Sequence, residues 1–194
     1  MGRQDIKTIR RAELIEAVMT AIHRHSFANL TVSQIAKEAE TSTGSIHYYF
    51  GGKDALLEAT MRHLLSILKD AISTRMRGKT DPKQRLIAVV TGNFDDLFFT
   101  NQSTSVWVQF WAYAPYSPGL ARLQLMNKNR IRSNLRSELK KLLPEDSVET
   151  ARIAIQSYMD GVWVHAAQSG VRTDAHTVQA DAIKFLELLL HDHM

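Results

Sequence analysis

Apolar residues recur at every third or fourth position along most of this chain, and only four prolines interrupt the pattern. This spacing places one apolar stripe on each of a series of helices, whereas the alternating runs that are typical of strands are short. With 194 residues, of which 44% are hydrophobic, the chain is long enough to bury a core. The sequence therefore predicts an all-α protein.

Glycine, proline and short polar segments divide the pattern into nine helices. The first helix ends before residues 26–30. The second begins at Thr31, whose hydroxyl pairs with Gln34 in a predicted capping box, and the third ends at Gly51 and Gly52. We expect the helices after the second to span about 43–50, 53–77, 82–97, 105–114, 118–143, 147–168 and 177–191.

Several classes of function are disfavoured by composition. The chain has no cysteine, which excludes thiol catalysis and thiolate metal sites. Asp95 and Asp96 have no nucleophile or histidine at a suitable spacing, and His191 and His193 have no distant third ligand. We therefore expect no enzyme, no catalytic or metal site and no cofactor.

The absence of a long apolar run or a signal-peptide pattern predicts a cytoplasmic protein without a membrane partner. The formal net charge of +4 permits a polyanionic partner but does not require one.

Residues 31–50 form two short helices separated by a tight turn at 40–42. A helix that enters the major groove of DNA needs small residues at its start, which Thr43, Gly44 and Ser45 provide. His47, Tyr48 and Tyr49 follow one turn later, within reach of base edges or phosphates. The helix starts near Thr31 and Lys53 favour phosphate oxygens. These residues form the predicted DNA-binding set.

The same segment resembles the TetR-family signature T-x-x-x-I-A-x-x-A-x-x-S-x-G-x-x-x-x-Y-F-x-x-K-x-x-L. The resemblance implies a nine-helix transcriptional repressor with a helix-turn-helix domain over 1–52 and an effector-binding and dimerisation domain over 53–194. It also implies that Ile35, Ala36 and Phe50 pack. One departure is that Glu40 and Thr41 replace the usual Gly-Val. A side chain at the left-handed turn position costs about 1 kcal/mol relative to glycine.

Aromatic residues are concentrated in the sixth helix, where Trp107, Phe110 and Trp111 share one face and Tyr113 lies close by. Such a stripe is also typical of an ordinary core. Several aromatic rings around one cavity can instead hold a quaternary ammonium ion, at about 2 kcal/mol per desolvated contact, with Asp95 or Asp96 adding a favourable field. Both interpretations stay open at this stage.

Four further runs, at 92–95, 106–111, 122–124 and 158–163, resemble a branch of the TetR family, the choline-responsive repressors of glycine betaine synthesis. This resemblance implies operator DNA, a homodimer and a choline-like cationic effector as partners, and it adds Tyr158 and Trp163 to the ligand-binding candidates. Two alternatives are a repressor of a multidrug efflux pump that senses lipophilic cations, and a choline-binding enzyme or carrier whose helix-turn-helix does not bind DNA.

Coupling and dimerisation are expected from two further features. The long fourth helix joins the two predicted domains, and a tilt of this helix would misplace both reading helices of a dimer, whose half-sites are about 34–36 Å apart. The apolar faces of the last two helices, at Val162, Ala166, Leu186 and Leu189, could form a four-helix bundle with a partner. They could instead close the core of one chain, but the dimer is favoured because a single short helix-turn-helix reads too few base pairs to select one site in a genome.

Overall fold

The computed structural model describes residues 3–169 and 174–191, and every regular element in these ranges is helical. The prediction of an all-α chain with nine α-helices is confirmed for this part of the chain. The helices are α1 Arg3–His25, α2 Val32–Glu38, α3 Thr43–Phe50, α4 Lys53–Met76, α5 Pro82–Gly92, α6 Asn101–Tyr113, α7 Pro118–Leu139, α8 Glu145–Gln168 and α9 Ala175–His191, with a short 3-10 turn at Ala114–Tyr116 between α6 and α7.

Side-chain caps start helices α2 and α5. Thr31 and Gln34 form the predicted capping box at the start of α2. At the start of α5, the Asp81 carboxylate accepts a 2.8 Å hydrogen bond from the Gln84 backbone N–H, and Pro82 occupies the first turn. These local signals fix where the helices begin.

The predicted extent of the fifth helix is wrong, because α5 ends at Gly92 and does not continue to Leu97. Gly92 packs so closely on α4 that a Cβ there would lie 2.9 Å from the Ile72 Cα. The Asn93 side chain then donates a 2.8 Å hydrogen bond to the Val89 carbonyl at the helix end. Phe94, Phe98 and Phe99 are buried in the turns that follow α5. The apolar residues therefore continue beyond the end of the helix, which is why the sequence predicted a longer one.

Helix α6 starts at Asn101, four residues before its predicted start. The Thr100 hydroxyl accepts a hydrogen bond of 3.2 Å from the Ser103 backbone N–H and so provides a start signal inside a segment that is polar in sequence. That polarity is what suggested a loop.

The described residues form two compact units. The first contains residues up to Leu64 together with Ser105–Gln124, and the second contains Leu65–Thr104 with the residues from Leu125 onward. Each of the helices α1 to α4 buries apolar side chains in the first unit, and the fully buried ones include Ile22, Ile35, Ile46 and Leu56. In the second unit, α5 contacts α9, and the Gln179 side chain donates a 2.7 Å hydrogen bond to the Phe94 carbonyl. None of the described helices is long and apolar enough to cross a membrane.

Candidate DNA interface and effector region

The turn between α2 and α3 holds Glu40 in the left-handed region, with a φ of 49°. The left-handed residue predicted for this turn is therefore present and carries a side chain. The backbone N–H of the next residue, Thr41, returns to the Ala36 carbonyl with a hydrogen bond of 2.9 Å. This bond closes the end of α2 and directs the chain into α3.

Helix α3 is held at both ends by local hydrogen bonds. Ser42 caps its start by accepting a 3.2 Å hydrogen bond from the Ser45 backbone N–H, and the Ser45 hydroxyl accepts a second bond, of 2.9 Å, from Thr41. At its end, Gly51 adopts a φ of 81° and its N–H bonds to the His47 carbonyl at 2.8 Å. Among the residues of α3, Ile46 is the buried one.

Most members of the predicted DNA-binding set on α3 are accessible to solvent. Thr43, Gly44 and His47 are exposed, and the Tyr48 side chain has 71% of its area exposed. Ser45 and Tyr49 are half-buried, and the rings of Tyr48 and Tyr49 meet edge to face with centroids 4.9 Å apart. This surface therefore presents hydroxyl, imidazole and phenol groups to solvent.

Thr31 and Lys53, the two remaining predicted DNA contacts, flank α3 in sequence and lie in the same compact unit as its residues. Thr31 is exposed at the start of α2. The half-buried Lys53 donates a 2.7 Å hydrogen bond from Nζ to the Leu30 carbonyl and so ties the start of α4 to the entry of α2. An ammonium group has three N–H donors, so this bond leaves two for another acceptor.

Arg11 contacts the end of α3 and was not among the predicted site residues. Its guanidinium donates a hydrogen bond to the Tyr49 carbonyl and lies over the Phe50 ring, 4.0 Å from the ring centroid. The predicted packing role of Phe50 thus includes a cation–π contact. Arg11 and Tyr49 are 38 residues apart, so no local sequence pattern indicates their contact.

Two of the predicted ligand residues, Phe110 and Tyr113, pack on the loop between α1 and α2. The Phe27 ring lies 5.1 Å from the Phe110 ring and 4.3 Å from the Tyr113 ring, measured between centroids. Gln109 adds a polar contact, since its Oε1 accepts a 2.6 Å hydrogen bond from the Phe27 backbone N–H. Helix α6 therefore contacts the loop that leads into the helix-turn-helix.

Trp107 and Trp111 lie one turn apart on α6, with ring centroids separated by 6.2 Å. Trp107 is buried and Trp111 is half-buried. Together with Phe110 and Tyr113 they belong to the first compact unit. The four α6 candidates are therefore brought together.

The other three ligand candidates lie in the second unit. The Trp163 ring contacts Phe98 and Phe99 at 5.1 and 5.0 Å. Tyr158 stacks on Phe185 with centroids 4.2 Å apart. Asp95 accepts hydrogen bonds of 2.8 and 3.0 Å from the Arg75 guanidinium, so its charge is already paired.

A carboxyl group that the sequence did not single out is Asp160, three residues before Trp163. Burial raises the pKa of Asp160 above its ordinary value, and the charge of Lys128 partly opposes that rise. Such a shift is a common feature of functional carboxyls, although buried charge networks also produce it. The sequence could have indicated Asp160 by its position one helical turn before Trp163, a predicted ligand-binding residue.

The faces of α8 and α9 divide between the core and the surface. Contrary to one sequence interpretation, Leu186 and Ala166 are buried within the chain itself, while Val162 and Leu189 are half-exposed. Helical spacing alone cannot tell a core stripe from an interface. Beside them is an open groove of about 390 Å³, lined mainly by α8 residues that include Ser157, Tyr158, Gly161 and His165, with Val178 and Asp181 from α9.

No group of three or more potential metal ligands occurs among the residues that the structure describes. His191 belongs to the end of α9, whereas Asp192 and His193 lie outside the described ranges.

Comparison with protein families identifies both parts of the chain. Residues 14–60 match the model of the tetR family of bacterial regulatory proteins, and residues 82–191 match that of the BetI-type transcriptional repressor C-terminal region. The chain belongs to the TetR family. Its C-terminal region is of the BetI type, which agrees with the predicted resemblance as far as the family goes. This TetR-family regulator is not an enzyme.

The similarity to BetI regulators extends over nearly the whole chain. The TetR-family chain is 36% identical over 193 residues to the HTH-type transcriptional regulator BetI of Ectopseudomonas mendocina, and 37% identical over 191 residues to that of Paraburkholderia phytofirmans. In each case 98% of both chains is covered.

Solved structures support the fold. A transcriptional regulator from Rhodococcus sp. Rha1 matches with a TM-score of 0.80 at 22% identity, covering 94% of this chain and 97% of that one. A putative regulator from Saccharomonospora viridis, solved in complex with choline, matches with a TM-score of 0.79 at 18% identity, covering 93% and 96%. At such identities the likeness establishes the TetR-type fold alone.

Proposed function

We propose that this TetR-family repressor binds its operator as a homodimer through α3 and is released when a choline-like quaternary ammonium ion binds. The observation that carries the proposal is the exposed surface of α3, with Tyr48 71% exposed, in a chain that resembles BetI regulators over 98% of its length. The regulated genes would then be those of choline conversion to glycine betaine.

The DNA contacts follow from the chemistry of the α3 surface. Thr43, Gly44 and Ser45 let the start of the helix approach base edges closely. His47, Tyr48 and Tyr49 supply donors for bases or phosphates, and the remaining Lys53 N–H groups bind a flanking phosphate. The Thr31 hydroxyl, which donates a 3.0 Å hydrogen bond to Gln34 Oε1 in the structure, would exchange that acceptor for a phosphate oxygen. Specificity thus resides in α3, and the register on the duplex is set by the residues that flank it.

Tyr48→Ala and Lys53→Met test this assignment. Tyr48 is largely exposed, so its loss should leave the fold intact and weaken binding to operator DNA roughly tenfold. Because Lys53→Met also removes the bond to Leu30, thermal denaturation is measured beside DNA titration. Two folded variants that bind the DNA upstream of their own gene as tightly as the parent chain would overturn the assignment.

We place the dimer contact at the groove on α8 and α9. A side chain at Gly161 would meet no atom of its own chain within 4 Å, so the surface there is open. Gly161→Arg should therefore spare the monomer fold while blocking close approach of a second α8. Sedimentation should show a monomer for the variant and a dimer for the parent chain. A dimeric variant would exclude this groove as the contact.

The proposed effector is a small quaternary ammonium ion. Aromatic faces attract such an ion, and the half-buried Trp111 and Tyr113 leave part of their rings accessible. Trp107 and Phe110 complete the α6 group, while Tyr158, Trp163 and Asp95 remain candidates from the second unit. At Asp95 a cation would compete with the Arg75 guanidinium.

The decisive experiment titrates choline into the protein bound to operator DNA, with fluorescence anisotropy as the measurement. The matched control is 3,3-dimethylbutan-1-ol, in which a neutral carbon replaces the quaternary nitrogen. We expect choline to release the DNA and the neutral compound to leave it bound. Equal release by both would overturn cation recognition. If choline has no effect, and ethidium binds the DNA-free protein without being displaced by choline, the efflux-repressor alternative is favoured instead.

Coupling from effector to DNA is proposed to run through α6. The helix carries Trp107 and Trp111 and also holds the loop before α2 through the Gln109–Phe27 hydrogen bond. A shift of α6 on effector binding would therefore move the helix-turn-helix segment without requiring α4 to act alone. The predicted tilt of α4 remains a second route.

A further inference from the structure

The first turns of α1 lie outside the segment that matches the family's helix-turn-helix model. Helix α1 begins at Arg3, whereas the matched segment begins at residue 14. The intervening turns carry Lys7, Arg10 and Arg11. These basic residues are not part of the DNA-binding set described above.

Arg11 fixes these turns beside α3. Its guanidinium bonds to the Tyr49 carbonyl, which is one of the acceptors left unpaired at a helix end, and covers the Phe50 ring. The early part of α1 is therefore held at the end of the proposed reading helix, close to the exposed Tyr48 and the half-buried Tyr49.

Lys7 is placed by this anchor. It precedes Arg11 by four residues and so lies on the same face of α1, about 6 Å further toward its start. The Lys7 side chain is exposed and makes no hydrogen bond or ion pair within the described ranges. Arg10, in contrast, is paired with Glu13 at 2.6 Å. Lys7 thus presents an uncompensated charge one helical turn from Arg11, the residue that contacts the end of α3.

We infer that Lys7 contacts a backbone phosphate at the flank of the half-site read by α3, and that Arg11 is a positioning residue that holds α1 for this contact. This inference rests on the proposed function. It extends the DNA interface beyond the helix-turn-helix, and its contribution depends on charge and not on base sequence.

The test compares Lys7→Gln with the full-length parent chain over a series of salt concentrations. Each lost phosphate contact lowers the slope of log affinity against log salt by about 0.9, so a dimer should lose about 1.8. Lys79→Gln, which removes an exposed lysine of the second unit, is the control for net charge, and Lys7→Arg should retain the slope. An unchanged slope in Lys7→Gln, or an equal loss in Lys79→Gln, would overturn the inference.

A double-mutant cycle tests the role of Arg11. If Arg11 positions Lys7, Lys7→Gln should change the slope less in an Arg11→Gln background whose thermal denaturation shows a folded protein. Fully additive effects would refute the positioning role. The same salt series is repeated with a non-specific duplex, where a phosphate contact still contributes to the slope even if specific operator binding is absent. Failure of the proposed function is thereby distinguished from failure of this inference.

Discussion

The backbone N–H of Phe27 donates a 2.6 Å hydrogen bond to Oε1 of Gln109, a residue 82 positions later in the chain. The Gln109 Nε2 donates in turn to the Ser105 hydroxyl at 3.1 Å, which fixes the orientation of the amide. A residue of α6 is thereby joined to the loop that precedes α2. A single substitution at Gln109 therefore tests whether this link carries the proposed response to an effector.

Gln109→Met should weaken that response. The change keeps the side-chain length but leaves the part-buried Phe27 N–H without its acceptor, which should lower the free energy of unfolding by about 1 kcal/mol. We expect choline to bind as before but to release operator DNA less completely, as measured by calorimetry and by anisotropy. Gln84→Met, at an exposed position, is the matched control. Full release in Gln109→Met would exclude this route of coupling.

Glu40→Gly should stabilise the protein. Glu40 has a φ of 49°, a conformation that glycine adopts without the penalty of a side chain. The free energy of unfolding should rise by about 1 kcal/mol in urea denaturation. The same substitution at the exposed helical residue Glu187 should have the opposite sign, by about 1 kcal/mol. A loss of stability in Glu40→Gly would show that its side chain makes a compensating contact.

Glu138 should make stability depend on pH. Its side chain is 1% exposed, and burial alone would raise the pKa of Glu138. Hydrogen bonds from Lys141 and Arg85, both present in the structure, outweigh burial and hold the pKa below its ordinary value. A depressed pKa in the folded state stabilises the protein above the unfolded pKa of about 4.3, and that stabilisation is lost as the pH falls further.

Glu138→Gln isolates this effect. The variant should be less stable than the parent chain by about 2 kcal/mol at pH 7, because a charged hydrogen-bond acceptor is lost. The difference should narrow below about pH 4.3. Urea denaturation over this pH range is the measurement, and Glu187→Gln at the surface controls for net charge. A difference independent of pH would contradict the ionised role of Glu138.

Gly92→Ala should destabilise the second unit. The added Cβ would lie 2.9 Å from the Ile72 Cα, and a backbone atom cannot move aside as a side chain can. Such overpacking costs about 1–3 kcal/mol. Gly44→Ala is the control, because its Cβ would lie 3.6 Å from the Ser42 hydroxyl, an ordinary contact. Thermal denaturation should show a lower midpoint for Gly92→Ala alone.

Local chemistry explains what the sequence predicted well. The capping box at Thr31, the glycine stop at Gly51 and the left-handed turn at Glu40 depend on residues within a few positions of each other. The helix-turn-helix is built from such short-range signals. Its helices could therefore be placed closely, and the family followed from their spacing.

Contacts between distant residues were not predictable in the same way. The bonds of Arg11 to Tyr49 and of Phe27 to Gln109 depend on how helices pack, and periodicity shows only that a face is apolar. Helical spacing grouped the α6 aromatics and the family resemblance added Tyr158 and Trp163, but neither shows which residues meet in space. The structure divides these candidates between two compact units. The burial of Leu186 within its own chain has the same origin.

Helix α3 is seated by one buried side chain, that of Ile46, and its ends are closed by Ser42 and Gly51. The outward-facing positions between these points contribute little to folding, so they are open to exchange. Under the proposed function, a lineage of such repressors can acquire a new target sequence by substitutions at these positions while the rest of the fold stays unchanged. The same property makes the helix suitable for transplanting the recognition surface of one regulator onto another.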